Sequence, residues 1–315
     1  MHKIVFLDRD SLLAKVRRPA FDHDWQEHAA TKPDQVVERL RGATIAITNK
    51  VPLRADTLDQ LPALRMVAVA ATGTDNVDLA ACRARGIVVA NIRDYSGVSV
   101  PEHCFTLMLA LRRNLRAYVT DVEAGRWERS DRFCLLDHPI GDLAGSRLGI
   151  IGYGALGRRV AQIGQAFGMT IATNSRSKVD EPGVTQLPLD ELLATSDVIS
   201  LHLPLSEATR HMIGARELGL MKKTAILINT ARGGLVDEDA LAEALMRRTI
   251  GGAGFDVLSK EPPSQDNPLL GLRLPNFILT PHVAWASEGA MQTLADMLVD
   301  NVEAWEAGRA INVVV

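Results

Sequence analysis

Short apolar runs rich in β-branched residues alternate with longer polar or amphipathic stretches along most of the chain. A first series of these runs covers residues 4–7, 44–48, 66–70 and 87–90, and a second covers 147–151, 169–173, 198–203, 225–229, 252–257 and 277–280. Strands that alternate with helices build parallel sheets covered on both faces. The pattern therefore predicts an α/β protein with two doubly wound parallel sheets.

Two longer amphipathic stretches predict helices outside this alternation. Apolar residues recur at helical spacing from Ser99 to Tyr118, where Ser99 can cap the helix and Pro101 suits its first turn. We expect one long helix here, between the two series of strands. The last stretch predicts a helix that ends near Gly308. If its last turns pack on the first unit, that unit is discontinuous in sequence, which periodicity alone leaves open.

Composition and charge narrow the class of protein. With 315 residues, 47% of them apolar, the chain can bury a large core and is expected to form two domains. The net charge of −3 is spread along the chain without a basic block, so we expect no nucleic-acid partner. No apolar run is long enough to cross a bilayer, and the start MHKIVFLDRD predicts a first strand instead of a signal peptide. We therefore expect a cytoplasmic protein without a membrane partner.

The three cysteines show no paired spacing. Cys82, Cys104 and Cys134 lie far apart and form no C-x-x-C motif. They are typical of structural thiols in a reducing compartment. We expect no metal site.

A glycine-rich turn opens the second series. Residues 149–157 have the sequence GIIGYGALG, which places Gly152, Gly154 and Gly157 as G-x-G-x-x-G directly after a strand and before a helix. In a dinucleotide site the first glycine allows a tight turn, the second lets the backbone approach a pyrophosphate, and the third brings helix and strand together. Free N–H groups at the helix N-terminus then bind the phosphates. The motif predicts a dinucleotide-binding unit, although a purely structural turn has the same glycines.

The next strand bears on the choice between NAD(H) and NADP(H). An NAD site normally carries Asp or Glu at the end of this strand. Here the strand ends in Thr173-Asn174-Ser175-Arg176-Ser177-Lys178. An acid about 4 Å from a 2'-phosphate would cost about 4 kcal/mol, whereas Ser175 adds no such repulsion and Arg176 can pair with the phosphate. We expect a preference for NADP(H), with NAD(H) possible if Asp180 or Glu181 reaches the ribose instead.

Three charged or titratable side chains follow late strands of the second series. Arg232 follows AILINT, Glu261 follows GFDVLSK, and His282 follows FILTP. The carboxyl ends of strands are where doubly wound sheets bind ligands. A guanidinium suits a substrate carboxylate, and an imidazole beside a carboxylate can donate or accept the proton of a hydroxyl group. Taken singly, the histidine is more typical of a hydrogen-bonded structural residue, and the glutamate and arginine of solvated loop residues. Together they predict reduction of a 2-keto acid.

At this point the sequence resembles the D-isomer-specific 2-hydroxyacid dehydrogenases, most closely their glycerate dehydrogenase/hydroxypyruvate (glyoxylate) reductase branch. The resemblance extends from about Val67 to the end and includes VAATGTDNVDLAA, SVPEHCFTLMLAL, LGIIGYGALGRRVA, ILINTARGGLVDEDAL, GAGFDVLSKEPP and LTPHVAWAS. It implies that Arg232 binds carboxylate and C2 oxygen, that His282 is the acid/base, and that Glu261 orients and charges that histidine. At Ser175, many members of the family carry Asp.

The resemblance also implies roles for further residues. The expected cofactor-binding set is Gly152, Gly154, Ala155, Leu156, Gly157, Asn174, Ser175, Arg176, Pro204, Thr230, Ala231 and Asp256, with Asp256 on the nicotinamide carboxamide. The expected substrate-binding set is Thr72, Gly73, Arg232, His282 and Trp285, with Ser287 and Lys50 as further candidates.

The family further implies D-stereochemistry, a homodimer built around the helix that starts near Ser99, and a Rossmann cofactor domain (100–287) inserted in a flavodoxin-like substrate domain (1–99 plus 288–315). A short substrate such as hydroxypyruvate or glyoxylate fits best. Phosphoglycerate or phosphite oxidation, and a nucleotide-sensing interaction protein with residual catalysis, remain as alternatives.

Overall fold

The computed structural model describes all 315 residues, which divide into two compact units. The first unit contains Met1–Ser96 and Ala286–Val315, and the second contains Gly97–Trp285. The first unit is thus built from both ends of the chain. The last helix packs on a strand of its sheet, and Val89 exchanges backbone hydrogen bonds with Val314 and Val315.

Each unit is built on one parallel sheet. The strands of the first unit are β1 (His2–Phe6), β2 (His23–Glu27), β3 (Ile45–Thr48), β4 (Met66–Val69) and β5 (Val88–Ala90). Those of the second unit are β6 (Arg147–Ile151), β7 (Thr170–Asn174), β8 (Val184–Gln186), β9 (Val198–Leu201), β10 (Ile226–Asn229), β11 (Gly252–Phe255) and β12 (Phe277–Leu279). Their orders are β2-β1-β3-β4-β5 and β12-β11-β10-β9-β6-β7-β8. The first is the flavodoxin-like order and the second is the Rossmann order with one added strand, so the predicted fold class is confirmed.

Helices cover both sheets. They are α1 (Val36–Arg39), α2 (Ala55–Leu58), α3 (Leu79–Ala84), α4 (Ser99–Arg112), α5 (Leu115–Glu123), α6 (Ala155–Ala166), α7 (Leu189–Thr195), α8 (Ala215–Leu220), α9 (Glu238–Met246) and α10 (Glu288–Glu306). Helix α4 packs so closely on β11 that a Cβ built on Gly254 would lie 2.9 Å from the Cβ of Leu107. None of these helices combines the length and the apolar character that a membrane span requires.

The predicted helix from Ser99 to Tyr118 is in fact two helices. Asn114 has φ 48°, a left-handed conformation that interrupts the helix between α4 and α5. Asn is one of the few residues that adopt this conformation at low strain. The prediction that Ser99 caps the helix is also wrong, since Val98 is the N-cap and the Ser99 hydroxyl donates to the carbonyl oxygen of Ala284, 2.5 Å away.

The two strands without a predicted counterpart are β2 and β8. Both lie at an edge of their sheet. Their sequences, HDWQE and VTQ, carry no apolar run because no residue of either strand is fully buried. Every predicted strand overlaps an observed one, since each of those runs supplies buried side chains to a core.

Candidate active site

The glycine-rich turn between β6 and α6 has the geometry of a phosphate-binding loop. Gly152 has φ +92°, and a Cβ there would lie 2.4 Å from the carbonyl oxygen of His202. A Cβ on Gly157 would lie 2.3 Å from the carbonyl oxygen of Gly152. Gly154, by contrast, has no atom within 4 Å of its Cβ position. Packing therefore requires the first and third glycines, whereas the second leaves open space, as a pyrophosphate needs.

Helix α6 begins at this open space. Ala155 and Leu156 are its first two residues, so their N–H groups have no partner within the helix. A cavity lined by Gly154, Ala155, Arg158, Arg159 and Gln162 adjoins the turn. Two cations and a helix N-terminus favour an anionic group here. Sequence reasoning missed both arginines, although their position directly after the third glycine indicates them.

The loop after β7 carries the residues predicted to choose the cofactor. Asn174 makes hydrogen bonds through both its side chain and its backbone. Its Nδ2 donates to the carbonyl oxygen of Leu187 at 3.0 Å, and its backbone carbonyl oxygen accepts from the N–H of Gly152 at 2.9 Å. Ser175 is half-buried, whereas the side chain of Arg176 is exposed. These contacts join the tip of β7 to the glycine-rich turn.

An acidic side chain lies near the same turn. The pKa of the Tyr153 hydroxyl is raised to about 12, first by burial and then by the negative charge of Glu181. Glu181 is one of the two acids that sequence analysis named as possible partners of the ribose. Its carboxylate therefore lies close to the residue between Gly152 and Gly154.

The segment after β10 presents Arg232. The side chain of Asn229 holds the turn, since its Nδ2 donates to the carbonyl oxygen of Arg232 at 2.9 Å and its Oδ1 accepts from the N–H of Ala231 at 3.1 Å. The hydroxyl of Thr230 lies 3.2 Å from the buried Sγ of Cys104. The Arg232 guanidinium donates to the carbonyl oxygen of Ala231 through Nη1 at 2.7 Å and is half-buried. The backbone of this segment is thus fixed by polar side chains.

Glu261 lies on a loop that packs against the residue after Arg232. A Cβ on Gly233 would stand 1.9 Å from the carbonyl carbon of Leu258 and 2.2 Å from the nitrogen of Ser259. The N–H of Leu258 donates to Oε1 of Glu261 at 2.9 Å. The structure thereby places the loop of Arg232 and the loop of Glu261 in direct contact.

Glu261 and His282 form a close pair. Nδ1 of His282 lies 2.5 Å from Oε2 of Glu261, and their side chains are 30% and 34% exposed. With Nδ1 engaged by the carboxylate, Nε2 is the ring atom that can exchange a proton with a ligand.

Asp256 supports the backbone around His282. Asp256 is 1% exposed, and its carboxylate accepts hydrogen bonds from the hydroxyl of Thr280 at 2.5 Å and from the N–H groups of Val283 and Ala284 at 2.9 and 2.8 Å. His282 has φ 57°, a left-handed conformation that is strained for most residues. These bonds hold the residues on either side of the strained position, a task that the sequence did not indicate for Asp256.

The remaining predicted residues of the second unit lie beside these elements. Trp285 donates from Nε1 to the carbonyl oxygen of His282 at 3.0 Å, so the indole ring closes the same turn. Pro204 follows β9 and is exposed.

Ser287, a further candidate, belongs to the first unit. Its hydroxyl lies at the N-terminus of α10, where it accepts from the N–H of Ala290 at 3.2 Å.

The predicted substrate residues of the first unit follow β3 and β4. Thr72 donates its hydroxyl to the carbonyl oxygen of Ile92 at 2.7 Å, and its own carbonyl oxygen accepts from Asn91 at 2.7 Å. Gly73 continues this loop. The N–H of Lys50 donates to the buried carboxylate of Asp8 at 2.7 Å. Asp8, which sequence reasoning missed, fixes the backbone of the loop after β3.

Comparisons with known proteins agree with this geometry. Residues 105–284 match the family model of the D-isomer specific 2-hydroxyacid dehydrogenase, NAD binding domain. The chain is 56% identical over 313 residues to a glycerate dehydrogenase of Methylorubrum extorquens, covering 99% of this chain and 98% of that one. It is 37% identical over 287 residues to a hydroxypyruvate reductase of Blautia hydrogenotrophica, covering 90% and 88% of the two chains.

A solved structure shows the same architecture over the full length. An NADPH-dependent glyoxylate/hydroxypyruvate reductase from Sinorhizobium meliloti, in complex with citrate, superimposes with a TM-score of 0.85 at 30% identity, covering 100% of this chain and 98% of that one. Since the family model matches more than half of the residues and the first relative matches nearly all of them, the chain is an NAD(P)-dependent dehydrogenase of the D-isomer-specific 2-hydroxyacid dehydrogenase family.

Proposed function

We propose that this enzyme reduces hydroxypyruvate or glyoxylate to the corresponding 2-hydroxy acid, with the D configuration where C2 is a stereocentre, and that it uses NADPH. The observation that carries the proposal is the contact between Glu261 and His282 on a loop packed against the Arg232 turn. A carboxylate-paired imidazole provides a proton donor, and the guanidinium of the adjoining turn provides a carboxylate-binding group.

Each residue of this site has a distinct role in the reduction. The Arg232 guanidinium binds the substrate carboxylate and the C2 oxygen, which places the carbonyl group within reach of His282. A bound nicotinamide supplies the hydride that reaches C2. As negative charge develops on the C2 oxygen, Nε2 of His282 transfers its proton to that oxygen. Glu261, through its contact with Nδ1, keeps the imidazole ring correctly oriented throughout this step.

The other predicted residues complete the binding surface. We assign the pyrophosphate to the turn and helix start formed by Gly152, Gly154, Ala155, Leu156 and Gly157, the adenosine ribose to Asn174, Ser175 and Arg176, and the nicotinamide end to Pro204, Thr230, Ala231 and Asp256. We assign the substrate carboxylate to the backbone at Thr72 and Gly73 as well as to Arg232, and the wall of the substrate pocket to Trp285. The open space at Gly154 and the Asn174–Gly152 hydrogen bond support the first two assignments.

The NADPH preference follows from the loop after β7. Ser175 occupies the position of an acidic ribose partner, and the exposed cations Arg176 and Lys178 follow it. Glu181 favours NAD(H) instead if its carboxylate reaches the ribose hydroxyls. The values of kcat/KM for NADPH and NADH decide between these cofactors. The Ser175→Asp variant is expected to lose its NADPH activity selectively, because the new carboxylate repels the 2'-phosphate.

A panel of 2-keto acids tests the substrate. We expect hydroxypyruvate and glyoxylate to give the highest kcat/KM in the presence of NADPH. Higher kcat/KM for oxidation of phosphoglycerate or phosphite would replace the proposed substrate class. Absence of turnover across the whole panel, with NADPH still bound, would favour a nucleotide-sensing protein with residual catalysis.

An exposed apolar surface on the second unit supports a homodimer. Its large side chains are 45–93% exposed and come from α5 and the loop after it: Leu115, Val119, Val122, Trp127, Phe133, Leu136 and Ile140. Polar groups of the same loop bond to α5. Nε2 of His138 lies 2.9 Å from the carboxylate of Asp121, and the hydroxyl of Tyr118 donates to the backbone carbonyl oxygen of His138 at 2.7 Å. Large exposed apolar side chains concentrated on one helix and the loop after it are typical of a protein interface.

The oligomeric state tests the role of this surface. Light scattering coupled to gel filtration should report a dimer for the wild-type protein and a monomer for Val119→Lys, because a buried unpaired ammonium destabilises an interface. Met246→Lys is the matched control, since Met246 is 61% exposed and lies on α9, outside the surface. Equal masses for both variants would rule out this surface as the interface.

We place the enzyme in the cytoplasm. The three cysteines are all free, with Cys82 and Cys104 buried and Cys134 exposed. Unpaired thiols are typical of a reducing compartment. Fractionation of cells that express the protein tests this location.

A further inference from the structure

The side chain of Gln186 closes the loop after β7. Gln186 is the last residue of β8 and pairs with Thr173 of β7 in the sheet register. Its Nε2 donates to the carbonyl oxygens of Ser175 and Ser177 at 2.8 and 3.1 Å. Its Oε1 accepts from the N–H of Val179 at 3.0 Å. One amide group thus holds three backbone groups of residues 175–179.

This loop carries two cations that have no partner of their own. Arg176 and Lys178 are exposed, and neither makes an ion pair or a side-chain hydrogen bond in the structure. Their backbone positions are fixed because the bonds of Gln186 reach the residue before Arg176, the residue between the two cations, and the residue after Lys178. The loop is therefore ordered before any ligand binds.

We propose that Gln186 is a positioning residue for cofactor specificity: its amide preorganises residues 175–179 so that Arg176 and Lys178 are held ready for the 2'-phosphate of NADPH. The inference rests on the proposed preference for NADPH. A loop that is already ordered loses less conformational entropy on binding. The affinity therefore increases for a ligand that contacts the loop. NADH lacks the 2'-phosphate, so its binding depends less on Gln186.

Two variants separate this role from a general structural one. Gln186→Met keeps the length of the side chain and removes all three hydrogen bonds. Gln186→Glu keeps the acceptor for Val179 but places a carboxylate beside two carbonyl oxygens and near the cations. Gln165→Met is the matched control, because Gln165 is an exposed glutamine of α6 without a side-chain hydrogen bond.

Calorimetry with adenosine 2',5'-bisphosphate and with AMP measures the effect without catalysis. For Gln186→Met we expect binding of the bisphosphate to weaken about tenfold while AMP binding changes by less than about twofold. Gln186→Glu should lose more of the bisphosphate affinity, and KM should rise for NADPH more than for NADH in both variants. Gln165→Met should match the wild type.

Other outcomes overturn the inference. Equal losses for the bisphosphate and for AMP would show that Gln186 only maintains the fold of the unit, and unchanged affinities would show that the loop needs no support. If the wild-type protein binds AMP as tightly as the bisphosphate, the proposed NADPH preference fails and the inference fails with it. Because the wild-type measurement precedes the variants, the two failures are distinguishable.

Discussion

Gly233 and Leu258 are in such close contact that the loops they belong to have no room for a methyl group between them. A Cβ on Gly233 would lie 1.9 Å from the carbonyl carbon of Leu258. Gly233 directly follows Arg232, and the N–H of Leu258 donates to Glu261. The backbone contact therefore sets the spacing between the turn of Arg232 and the loop of Glu261.

Replacing Gly233 with alanine should separate these loops. Overpacking of this kind destabilises a protein by about 1–3 kcal/mol, and displacement of the proposed catalytic groups lowers the rate in addition. We expect kcat/KM of Gly233→Ala to fall more than about tenfold, with a lower melting temperature. The control is Gly219→Ala, because the Cβ position of Gly219 in α8 has no atom within 4 Å. Wild-type kinetics in Gly233→Ala would show that the two loops move independently.

Removal of the imidazole at position 282 tests the proposed role of His282 as proton donor. Asparagine is the suitable replacement, because it tolerates the left-handed backbone conformation of φ 57° found there. We expect kcat of His282→Asn to fall by about 10²–10⁴, the usual contribution of a general acid, while NADPH binding measured by fluorescence persists. A kcat close to that of the wild type would contradict the assignment.

Neutralising Glu261 should loosen the orientation of His282. Oε2 of Glu261 lies 2.5 Å from Nδ1 of His282, so this contact fixes the direction of the imidazole ring. In Glu261→Gln the charge-assisted contact is lost, and we expect kcat for reduction to fall by about 10- to 100-fold because the ring is less well positioned. A wild-type kcat in Glu261→Gln would mean that Glu261 serves only to hold the loop.

The contribution of Arg232 should depend on the charge of the substrate. A charge-assisted hydrogen bond contributes about 1.5–3 kcal/mol, so Arg232→Ala should reduce kcat/KM for a 2-keto acid by about 10- to 100-fold. The corresponding 2-keto amide lacks the carboxylate and should lose much less. The comparison of acid and amide in both proteins measures this difference. Equal losses for the two compounds would assign Arg232 a role other than carboxylate binding.

Thiol labelling should distinguish the three cysteines. Burial raises the pKa of Cys82 to about 11 and that of Cys104 to about 12, so at pH 8 both are protonated and shielded from reagents. Cys134 is exposed. We expect no more than one thiol per chain to react in the native protein, none in Cys134→Ser, and all three in denaturant. Rapid native reaction of a second thiol would show that one of the buried sites opens.

The edge strands and the break in the long helix show where local pattern fails. The central strands were predictable because buried strands must be apolar. By contrast, β2 and β8 lie at sheet edges and are held by backbone hydrogen bonds, which do not require apolar side chains. The helix break at Asn114 depends on the chain that returns beside it, since the Asn114 side chain donates to the carbonyl oxygen of Pro139 at 2.5 Å.

The sequence by itself determined the α/β class, the glycine-rich turn and the location of Arg232, Glu261 and His282 after strands, because each depends on a few neighbouring residues. The family resemblance implied the pairing of Glu261 with His282, which the structure brings together across 21 positions. Only the tertiary structure decided that Asp256 holds the backbone of residues 283 and 284 and that Gln186 fixes the loop of Arg176. The physical reason is that contacts between separated loops depend on strand order and packing, and these are properties of the whole sheet that no short stretch of sequence contains.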